Sequence, residues 1–540
     1  MSLWKRKTGK AGDLVKQSEN ASQNPAFYQR IRNVLRDRFG YSNFRPGQEE
    51  IIEAVCQRVD VFAMMATGSG KSLCYQIPGY LLPGTVLVVS PLLSLMEDQV
   101  HSLRAHGENK VRALNGLIHP KERKRILRSL DRYKFLFISP EMLRKTDVLA
   151  ALSAIRIALF VVDEAHCISQ WGHDFRPDYL HLLAIRQRLH HPACLALTAT
   201  AGQRVRMDII EHLGLEQARI FVNSADRPNI ALSVREKATN EQKIEEILKL
   251  LDQVELPAII YCSSRDWSER LAGIVREKFD LRTAYYHGGM TAEDRTKIQN
   301  QFLEQQLMVL CCTNAFGMGV NMPHVRLVIH FQYPGNLNAY LQEIGRAGRD
   351  GAQSLAVLYH APADDRLPEA FIDANYPEDA QLMQTLTELD QGKWNLNHQD
   401  VLEAGLLEEG MSQTAVRFIL DQLQTKTEGH PFRSLFEPCK KEREARKRHK
   451  RRELEEMRQW LKEPGCRRAA YLRSFDETLM KRPQLCCDHC GLDFSALKRS
   501  KKQRSSDINI DWRERMDQLF CLPAIAADSE LGLLHQNGLS

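Results

Sequence analysis

The sequence lacks the features of a membrane or secreted protein. No apolar run approaches the roughly 20 residues that a membrane-spanning helix needs. The segment Met1–Asn24 is polar and has no apolar core of a secretory signal, so we expect a cytoplasmic chain with no membrane partner. A large excess of one charge is also missing, because 74 basic and 68 acidic residues leave a net charge of +6. Binding of nucleic acid would therefore depend on local basic clusters.

Cysteine is present but does not form the pattern of a disulfide framework. Several of the 13 cysteines lie inside apolar runs, namely Cys194, Cys262, Cys311 and Cys312. This placement indicates a reducing compartment. The length of 540 residues predicts about three to four domains. A composition of 43% hydrophobic and 26% charged residues is that of an ordinary globular protein.

Two adjacent acids follow the apolar run Ala158–Val162. In sites that hydrolyse nucleotides, one carboxylate holds Mg²⁺ and another acid orients the attacking water. We predict the first role for Asp163 and the second, that of general base, for Glu164. The aromatic residues Trp171 and Phe175 follow closely and offer faces on which nucleic-acid bases stack. The pattern predicts a motor that couples ATP hydrolysis to nucleic acid.

The segment behind the acids has a second interpretation, since Trp171 and Phe175 are four residues apart, as core residues of a helix would be. Glycine, proline and charged residues surround them, which favours an exposed loop. Thr198 and Thr200 end another apolar run and either relay nucleotide state through hydrogen bonds or form an ordinary threonine-rich turn. The residues predicted to couple nucleic acid to ATP are Trp171, Phe175, Arg176, Thr198, Thr200 and Thr313.

A phosphate-binding loop is predicted after the apolar run Val59–Met65. The loop reads Ala66-Thr67-Gly68-Ser69-Gly70-Lys71-Ser72 and precedes a helical stretch. Its glycines allow backbone N–H groups to close on phosphates, Lys71 reaches the β- and γ-phosphates, and Ser72 binds Mg²⁺. Met65 stands where the general pattern has a glycine. A glycine-rich turn without ligand is the alternative, which the nearby acid pair makes the weaker one.

Short apolar runs rich in Val, Ile and Leu recur along the chain and end in polar residues. Helical segments lie between them, a pattern typical of parallel sheets covered on both faces. Ligands of such sheets bind at the carboxyl ends of the strands, where the polar residues fall. We predict an α/β fold with two doubly wound domains, 26–224 and 225–365. The runs are Val86–Val89, Phe135–Ile138, Ala158–Val162, Leu195–Leu197, Ala258–Tyr261, Met308–Cys312 and Leu327–Phe331.

The order and wording of these motifs resemble the RecQ-type ATP-dependent DNA helicases of superfamily 2, from Phe39 to about Gly351 and more weakly to Cys490. Phe39–Gln48 resembles an adenine-recognition motif, in which Gln48 bonds the base edge while Tyr41 and Arg45 pack on its faces. Asp163–Tyr179 resembles the Mg²⁺/base motif with the aromatic-rich loop of the family. Gln342–Gly351 resembles its last ATPase motif.

The resemblance implies two RecA-like domains and the cofactors ATP, Mg²⁺ and zinc. It also implies 3′→5′ movement on single-stranded DNA, unwinding of duplex DNA, and a role in DNA repair or recombination. Single-strand-binding or repair proteins would be partners, and the location would be cytoplasmic and nucleoid-associated. Oligomeric state does not follow from it.

Two arginines of the last motif are candidates for the finger that offsets charge on the γ-phosphate. We predict that Arg346 and Arg349 lie three apart on one face of a helix that begins near Asn338. One would reach the γ-phosphate and the other would pair with the first domain or with DNA. The alternative is a pair of solvated surface arginines. Gly345 and Gly348, which suit close approach of the backbone to a partner, favour the finger.

A change of composition to acidic and polar residues begins at about 366. Val401–Leu407 and Ser412–Gln424 predict a helix, a turn and a second helix that Ser412 caps. A winged-helix-like DNA contact and a plain helical packing module are equally supported. The residues predicted on the buried side of the second helix are Val416, Ile419, Leu420 and Leu423.

The run Lys440–Arg452 is densely basic. Glu442 and Arg446 form an i,i+4 pair, so a solvated helix is one interpretation. The excess of positive charge favours a face that binds phosphates. Its basic residues include Arg443, Arg446, Lys447, Arg448, Lys450 and Arg451.

Cysteines after the basic run have zinc-ligand spacing. The resemblance supports this site, because the family has a Cys-Arg-Arg element and three later cysteines, although its usual spacing would place a ligand at Gln484. The other three predicted ligands are better supported than Cys486. His489 and Cys439 are the alternatives to Cys486 as the fourth ligand. Four unrelated buried thiols are the remaining interpretation. The predicted ligands are Cys466, Cys486, Cys487 and Cys490.

The predicted organisation is a tail 1–25, domains 26–224 and 225–365, a helix-turn-helix or winged-helix-like module 366–435, a basic and zinc-binding module 436–495, and a tail 496–540. From the length after Cys490 we expect no room for the winged helix that follows the zinc site in this family. The ordered motifs and the resemblance to the family predict an ATP-dependent DNA helicase. The alternatives are an RNA helicase of the same superfamily and a DNA-binding protein that ATP switches without unwinding, against which Glu164 and the two arginines argue.

Overall fold

The structure is a computed structural model of the chain. It describes residues 25–116, 118–169, 176–279, 282–317, 322–396, 399–423, 431–493 and 497–498. Within these ranges no helix combines the length and apolar character needed to cross a bilayer.

The first lobe, residues 25–222, is built on a sheet of seven strands in the order β3-β4-β2-β5-β6-β1-β7. All its strand pairs are parallel. The strands are β1 (Val61–Met64), β2 (Thr85–Val89), β3 (Val111–Leu114), β4 (Phe135–Ile138), β5 (Ile157–Val162), β6 (Cys194–Thr198) and β7 (Arg219–Val222).

Helices connect these strands. They are α1 (Pro25–Phe39), α2 (Gln48–Cys56), α3 (Leu73–Leu81), α4 (Leu93–Ala105), α5 (Pro120–Leu127), α6 (Pro140–Leu143), α7 (Thr146–Ser153), α8 (Leu182–Arg188) and α9 (Gln203–His212).

The second lobe, residues 230–360, contains a parallel sheet of six strands in the order β10-β11-β9-β12-β13-β8. Its strands are β8 (Ile230–Glu236), β9 (Ala258–Tyr261), β10 (Thr283–Tyr286), β11 (Val309–Cys312), β12 (Leu327–His330) and β13 (Ser354–His360). Its helices are α10 (Asn240–Gln253), α11 (Arg265–Phe279), α12 (Ala292–Leu303) and α13 (Leu337–Ile344).

Both faces of the first sheet are buried, as the continuous apolar runs predict. In β1, Phe62 and Met64 belong to one core cluster, whereas Val61 and Ala63 belong to the cluster on the opposite face. Successive side chains of a strand point to opposite faces, so an apolar run without alternation fills both. The prediction of two doubly wound parallel-sheet domains is confirmed.

The C-terminal part is helical. Helices α14 (Arg366–Ala374), α15 (Asp379–Asp390), α16 (Gln399–Glu408) and α17 (Gln413–Leu423) lead to the long helix α18 (Phe436–Leu461) and to α19 (Arg467–Arg473).

The predicted helix-turn-helix corresponds to α16 and α17. The hydroxyl of Ser412 accepts a hydrogen bond from the backbone N–H of Ala415 at 3.2 Å, so it caps α17 as expected. Val416, Ile419 and Leu423 are buried, and Leu420 packs partly buried against the same core. Among the described residues between 366 and 435 there is no β-strand, so the described part of this module is helical throughout.

Helix α18 joins this helical module to the second lobe. At its C-terminal end, Leu454, Met457 and Trp460 are buried in the core cluster of that lobe, and the rings of Trp460 and Tyr340 lie 4.8 Å apart. Near its N-terminal end, Arg443 binds Asp379 of α15. The basic run of α18 is therefore used in part to fasten the helical module.

Candidate nucleotide-hydrolysis site and metal centre

The predicted phosphate loop lies between the end of β1 and the start of α3. Gly68 and Gly70 have φ angles of +81° and +83°, which side chains rarely adopt. A Cβ atom at Gly70 would lie 2.5 Å from Nε2 of Gln48. The buried hydroxyl of Ser69 has no hydrogen-bond partner among the described residues. A glycine-rich loop with an unpaired buried hydroxyl fits a bound phosphate.

The acid pair follows β5 beside this loop. Nζ of Lys71 lies 3.9 Å from Oε1 of Glu164, and Glu164 has a left-handed backbone with φ 47°. Burial, followed by the charge of Glu164, raises the pKa of Asp163 to about 7, while the charge of Lys71 opposes the rise. A bound cation would stabilise a buried carboxylate in this setting, so the residues fit Mg²⁺.

A histidine that the sequence analysis did not assign connects the acid pair to the neighbouring strand β6. Nδ1 of His166 lies 3.0 Å from Oγ1 of Thr198 and 3.4 Å from Oε2 of Glu164. The hydroxyl of Thr198 donates to the carbonyl oxygen of Thr200 at 3.2 Å. Thr198 and Thr200 therefore lie beside the acids, as expected. The signal for His166 was its place two residues after Glu164.

The predicted adenine-recognition residues lie on the other side of the loop. Nε2 of Gln48 donates to the carbonyl oxygens of Ser69 and Gly70, both at 3.0 Å, and its Oε1 accepts from the backbone N–H of Arg45 at 2.8 Å. The guanidinium of Arg45 contacts the carbonyl oxygen of Gly68. Tyr41 is 53% exposed. Gln48 thus braces the phosphate loop, and its contact with the base edge remains a prediction.

The helix expected to carry both arginines is shorter than predicted. It runs from Leu337 to Ile344, so Arg346 and Arg349 lie in the turns that follow it, and the prediction of a shared helical face was wrong. After Ile344 the chain follows turns, in which the N–H of Ala347 donates to the carbonyl oxygen of Ile344, and Gly348 then adopts a left-handed conformation with φ +54°, so the helical spacing does not continue to Arg349.

Arg349 nevertheless lies at the interface of the lobes, whereas Arg346 is packed inside the second lobe. A Cβ atom at Gly68 would lie 3.0 Å from Cγ of Arg349, so Arg349 covers the phosphate loop. Arg346 is 4% exposed and contacts the carbonyl oxygen of Gly317, which excludes a solvated surface role for it. Burial, together with the charges of Arg346 and Arg227, lowers the pKa of Arg349 to about 9. The positive charges of these three arginines would stabilise an anion bound beside them.

Arg227, in the connection between β7 and β8, is a site residue that the sequence analysis missed. Its guanidinium donates to the carbonyl oxygen of Thr67 in the phosphate loop at 2.7 Å. It also donates to the carbonyl oxygens of Gly345, Ala347 and Gly348 at 3.0, 2.9 and 2.8 Å. One side chain therefore ties the phosphate loop of the first lobe to the arginine-bearing turn of the second.

The connection itself is held by the zinc-binding module. Arg468 of α19, 1% exposed, binds the carboxylate of Asp226 and donates to the carbonyl oxygen of Arg227 at 3.0 Å. The hydroxyl of Tyr471 donates to the same carboxylate at 2.5 Å. The only sequence signal for this contact was the Cys-Arg-Arg element that contains Arg468.

The four predicted zinc ligands come together. Ligand atoms of Cys466, Cys486, Cys487 and Cys490 all lie within 4.8 Å of one another. Individual Sγ–Sγ distances are 3.5, 3.6 and 4.0 Å. Sulfurs bound tetrahedrally at about 2.3 Å from zinc lie about 3.8 Å apart, so the cluster fits this metal. The alternatives are not part of it, because Cys439 lies in the core of the helical module and His489 contacts the carbonyl oxygen of Pro464.

The remaining predicted coupling residues are only partly described. Trp171 and Phe175 lie outside the described residues. The guanidinium of Arg176 donates to the carbonyl oxygen of Pro91 at 2.6 Å. Thr313 is buried at the end of β11, where its hydroxyl accepts from the backbone N–H of Ala315 at 3.3 Å.

Three family models match the chain. The model of DEAD/DEAH box helicases matches residues 45–209, that of the helicase conserved C-terminal domain matches 242–351, and the RecQ zinc-binding model matches 415–491.

Curated proteins with similar sequences include two from Bacillus subtilis (strain 168). The probable ATP-dependent DNA helicase RecS is 42% identical over 500 residues, which are 92% of this chain and 99% of the relative. The ATP-dependent DNA helicase RecQ is 36% identical over 70% of this chain and 64% of the relative. The RecQ of Pasteurella multocida (strain Pm70) is 42% identical over 335 residues, which are 62% of this chain and 52% of that relative.

Solved structures agree on the fold. The helicase Lhr of Mycobacterium smegmatis, bound to ssDNA and AMP-PNP, is similar with a TM-score of 0.51 and 21% identity over 73% of this chain and 57% of that one. The DUF1998 helicase MrfA bound to DNA has a TM-score of 0.53 and 18% identity over 64% of this chain and 53% of that one.

Proposed function

This chain belongs to the RecQ family of ATP-dependent DNA helicases, and on that premise we propose that it moves 3′→5′ along single-stranded DNA, unwinds duplex DNA and acts in DNA repair or recombination. Its cofactors are ATP, Mg²⁺ and zinc. No distance in the site encodes the direction of movement. The support for 3′→5′ movement is the resemblance of the ordered motifs to those of the family.

The observation that carries the proposal is the meeting of the two lobes at the phosphate loop. Lys71 of the first lobe and Arg349 of the second both lie beside that loop, and Arg227 bonds to both sides. The γ-phosphate would hold these groups together and its release after hydrolysis would free them, so the lobes would close on ATP and open after turnover. A cycle of closing and opening is what moves a strand.

Asp163 and Ser72 would hold Mg²⁺, which supplies positive charge that offsets the charge of the β- and γ-phosphates. Glu164 would orient the attacking water and accept its proton, and Lys71 would bind the β- and γ-phosphates. Arg349 would offset charge on the transferred phosphoryl group. Arg346, packed against Gly317, would hold the turn that presents Arg349.

The same geometry offers a route from the nucleotide to the nucleic acid. His166 lies between Glu164 and Thr198, and Arg176 contacts Pro91 after β2. The backbone N–H of Cys167 donates to the carbonyl oxygen of Glu164, and that of Arg176 donates to the carbonyl oxygen of Cys167, so a shift of the acid pair on hydrolysis would reach both segments through hydrogen bonds. The aromatic-rich loop that ends before Arg176 would be the element that senses single-stranded DNA.

An RNA helicase of the same superfamily is the competing function. The relatives named RecS and RecQ are DNA helicases, and the RecQ zinc-binding model matches here, so we favour DNA. The test compares ATP hydrolysis by the full chain without nucleic acid, with oligo(dT) and with oligo(U) of equal length. Stronger stimulation by oligo(dT) is expected. Equal or stronger stimulation by RNA would overturn the choice of DNA, and no stimulation by either would favour an ATP-driven switch.

A further inference from the structure

A cleft of about 1520 Å³ lies where the two lobes and the helical module meet. The first lobe contributes α4 and Arg176, and the second contributes one face of α12. The third side consists of α17 and α18, with Arg417, Arg446 and Lys450 among the lining residues. The helical module therefore closes a space that two lobes alone would leave open.

The third wall carries spaced positive charge. Arg446 and Lys450 are four residues apart on α18, so they lie on the same face, and Arg417 reaches the cleft from α17. Both cations are paired with acids of the same helix, since Arg446 binds Glu442 at 2.8 Å and Lys450 binds Glu453 at 2.9 Å. Arg417 lies 3.9 Å from Glu141 with both side chains 47% exposed, a contact worth little in water.

The lining of the cleft also includes the acids Glu97, Asp98, Glu141, Asp178, Glu403 and Asp421, and burial raises the pKa of two of them. Burial, then the charge of Glu97, raises the pKa of Asp98 to about 7. Burial also raises the pKa of Asp421 to about 6, against the lowering effect of Arg417 and Arg446. A pKa of about 7 leaves Asp98 partly protonated at neutral pH, so an anion that enters the cleft would meet less repulsion from this side chain.

The chemistry of the walls fits a phosphate polymer that runs from one lobe to the other. Arg176 lines the cleft from the first lobe, and Arg295 lines it from the second. A ligand that touches both lobes experiences their relative movement, which a small molecule bound to one lobe would not. Cations on all three sides suit a strand whose phosphates repeat along its length.

We propose that α17 and α18 form a third wall of the path of single-stranded DNA and bind its phosphates through Arg417, Arg446 and Lys450. The inference rests on the proposed function and adds to it that the helical module retains the strand during translocation. The strand is then enclosed on three sides instead of lying on the two lobes alone.

The test uses the full chain with R417A and K450A combined, because both side chains are partly exposed and their removal spares the core. The matched control combines R433A in the same module with R448A, an exposed residue of α18, since neither lines the cleft. Fluorescence anisotropy measures the affinity for oligo(dT) as salt is varied, and ATP hydrolysis is titrated with the same oligonucleotide.

For single strands, each lost phosphate contact lowers by about 0.7 the steepness with which the logarithm of the binding constant falls with the logarithm of the salt concentration. The loss of two contacts therefore weakens binding about 25-fold at about 0.1 M salt. We expect this loss for the cleft variant and near-normal binding for the control. The DNA-free ATPase rate and the rate at saturating DNA should stay near those of the unmodified chain. Equal affinity of the two variants would overturn the inference, whereas failure of the unmodified chain to respond to DNA would overturn the proposed function.

A second measurement does not depend on charge. Thr414→Cys places a thiol on the lining of the cleft, and Gln384→Cys places one on an exposed face of α15 outside it. A thiol-reactive oligo(dT) should crosslink to the first variant much more than to the second. Crosslinking only to the second, or equal crosslinking to both, would contradict a strand on the third wall.

Discussion

Replacement of Arg227 by alanine removes the side chain that joins the two halves of the ATP site. Its guanidinium makes four hydrogen bonds of 2.7 to 3.0 Å to carbonyl oxygens, one in the phosphate loop and three in the turn that precedes Arg349. Hydrogen bonds to a charged group contribute about 1.5–3 kcal/mol each. We expect the variant to place Arg349 incorrectly with respect to the phosphate loop.

The magnitude follows from the contact to Thr67. Loss of that bond alone, at about 1.5 kcal/mol, corresponds to roughly a tenfold loss of rate, since 1.36 kcal/mol is tenfold. Misplacement of a catalytic group by about 1 Å costs about 100-fold. We therefore expect kcat for ATP hydrolysis to fall about 100-fold while the KM for ATP changes much less, because Lys71 and the glycines of the loop remain.

The assay is DNA-stimulated ATP hydrolysis by Arg227→Ala, Arg227→Lys and Arg235→Ala. Arg235 of β8 is the control, an arginine that pairs with Glu246 of the same lobe at 3.2 Å. R227K should recover only part of kcat, because one ammonium cannot reach four carbonyl oxygens. A kcat of R227A within threefold of the unmodified chain, in protein of unchanged thermal stability, would refute the reasoning.

Three further results are expected. Glu164→Gln should lower kcat by about 10²- to 10⁴-fold because it removes the general base, while binding of ATP, measured by a fluorescent analogue, persists; retained turnover would contradict the role. Cys487→Ser should lower the zinc content and the melting temperature, whereas Cys439→Ser should keep its zinc; metal analysis separates them. D98N should be more stable than the unmodified chain, by an advantage that grows between about pH 4 and pH 7 and is constant above. The native pKa of Asp98, about 7, exceeds its unfolded value, so ionisation costs stability in that window. An advantage that does not vary with pH in urea unfolding would contradict this.

Local motifs of the ATP site could be predicted from the sequence because their geometry is local. The segment Thr67–Ser72 forms a loop because a strand precedes it and a helix follows it. Asp163 and Glu164 come directly after the strand that ends beside that loop. Four cysteines could be assigned because soft thiolates clustered at short spacing have few other uses.

Contacts of a side chain with distant main-chain carbonyls could not be predicted. Arg227 bonds to carbonyl oxygens 118 to 160 residues away, and every residue type carries a carbonyl, so no pattern of side chains signals the contact. The same contacts hold the turn after Ile344, which explains why helical spacing misplaced Arg346 and Arg349. Arg468 was missed as the partner of the Asp226 carboxylate because 242 residues separate them and many other acids could have paired with it.

The central claim is that ATP hydrolysis at this site drives unwinding in one direction. Strand displacement by the full chain on a duplex with a 3′ single-stranded tail tests it most directly, with a 5′-tailed duplex and the variant Lys71→Ala as controls. We expect ATP-dependent displacement of the 3′-tailed duplex, little on the 5′-tailed one, and none by K71A, which should still bind the tail. Displacement by K71A at the rate of the unmodified chain, or by the unmodified chain without ATP, would contradict the account.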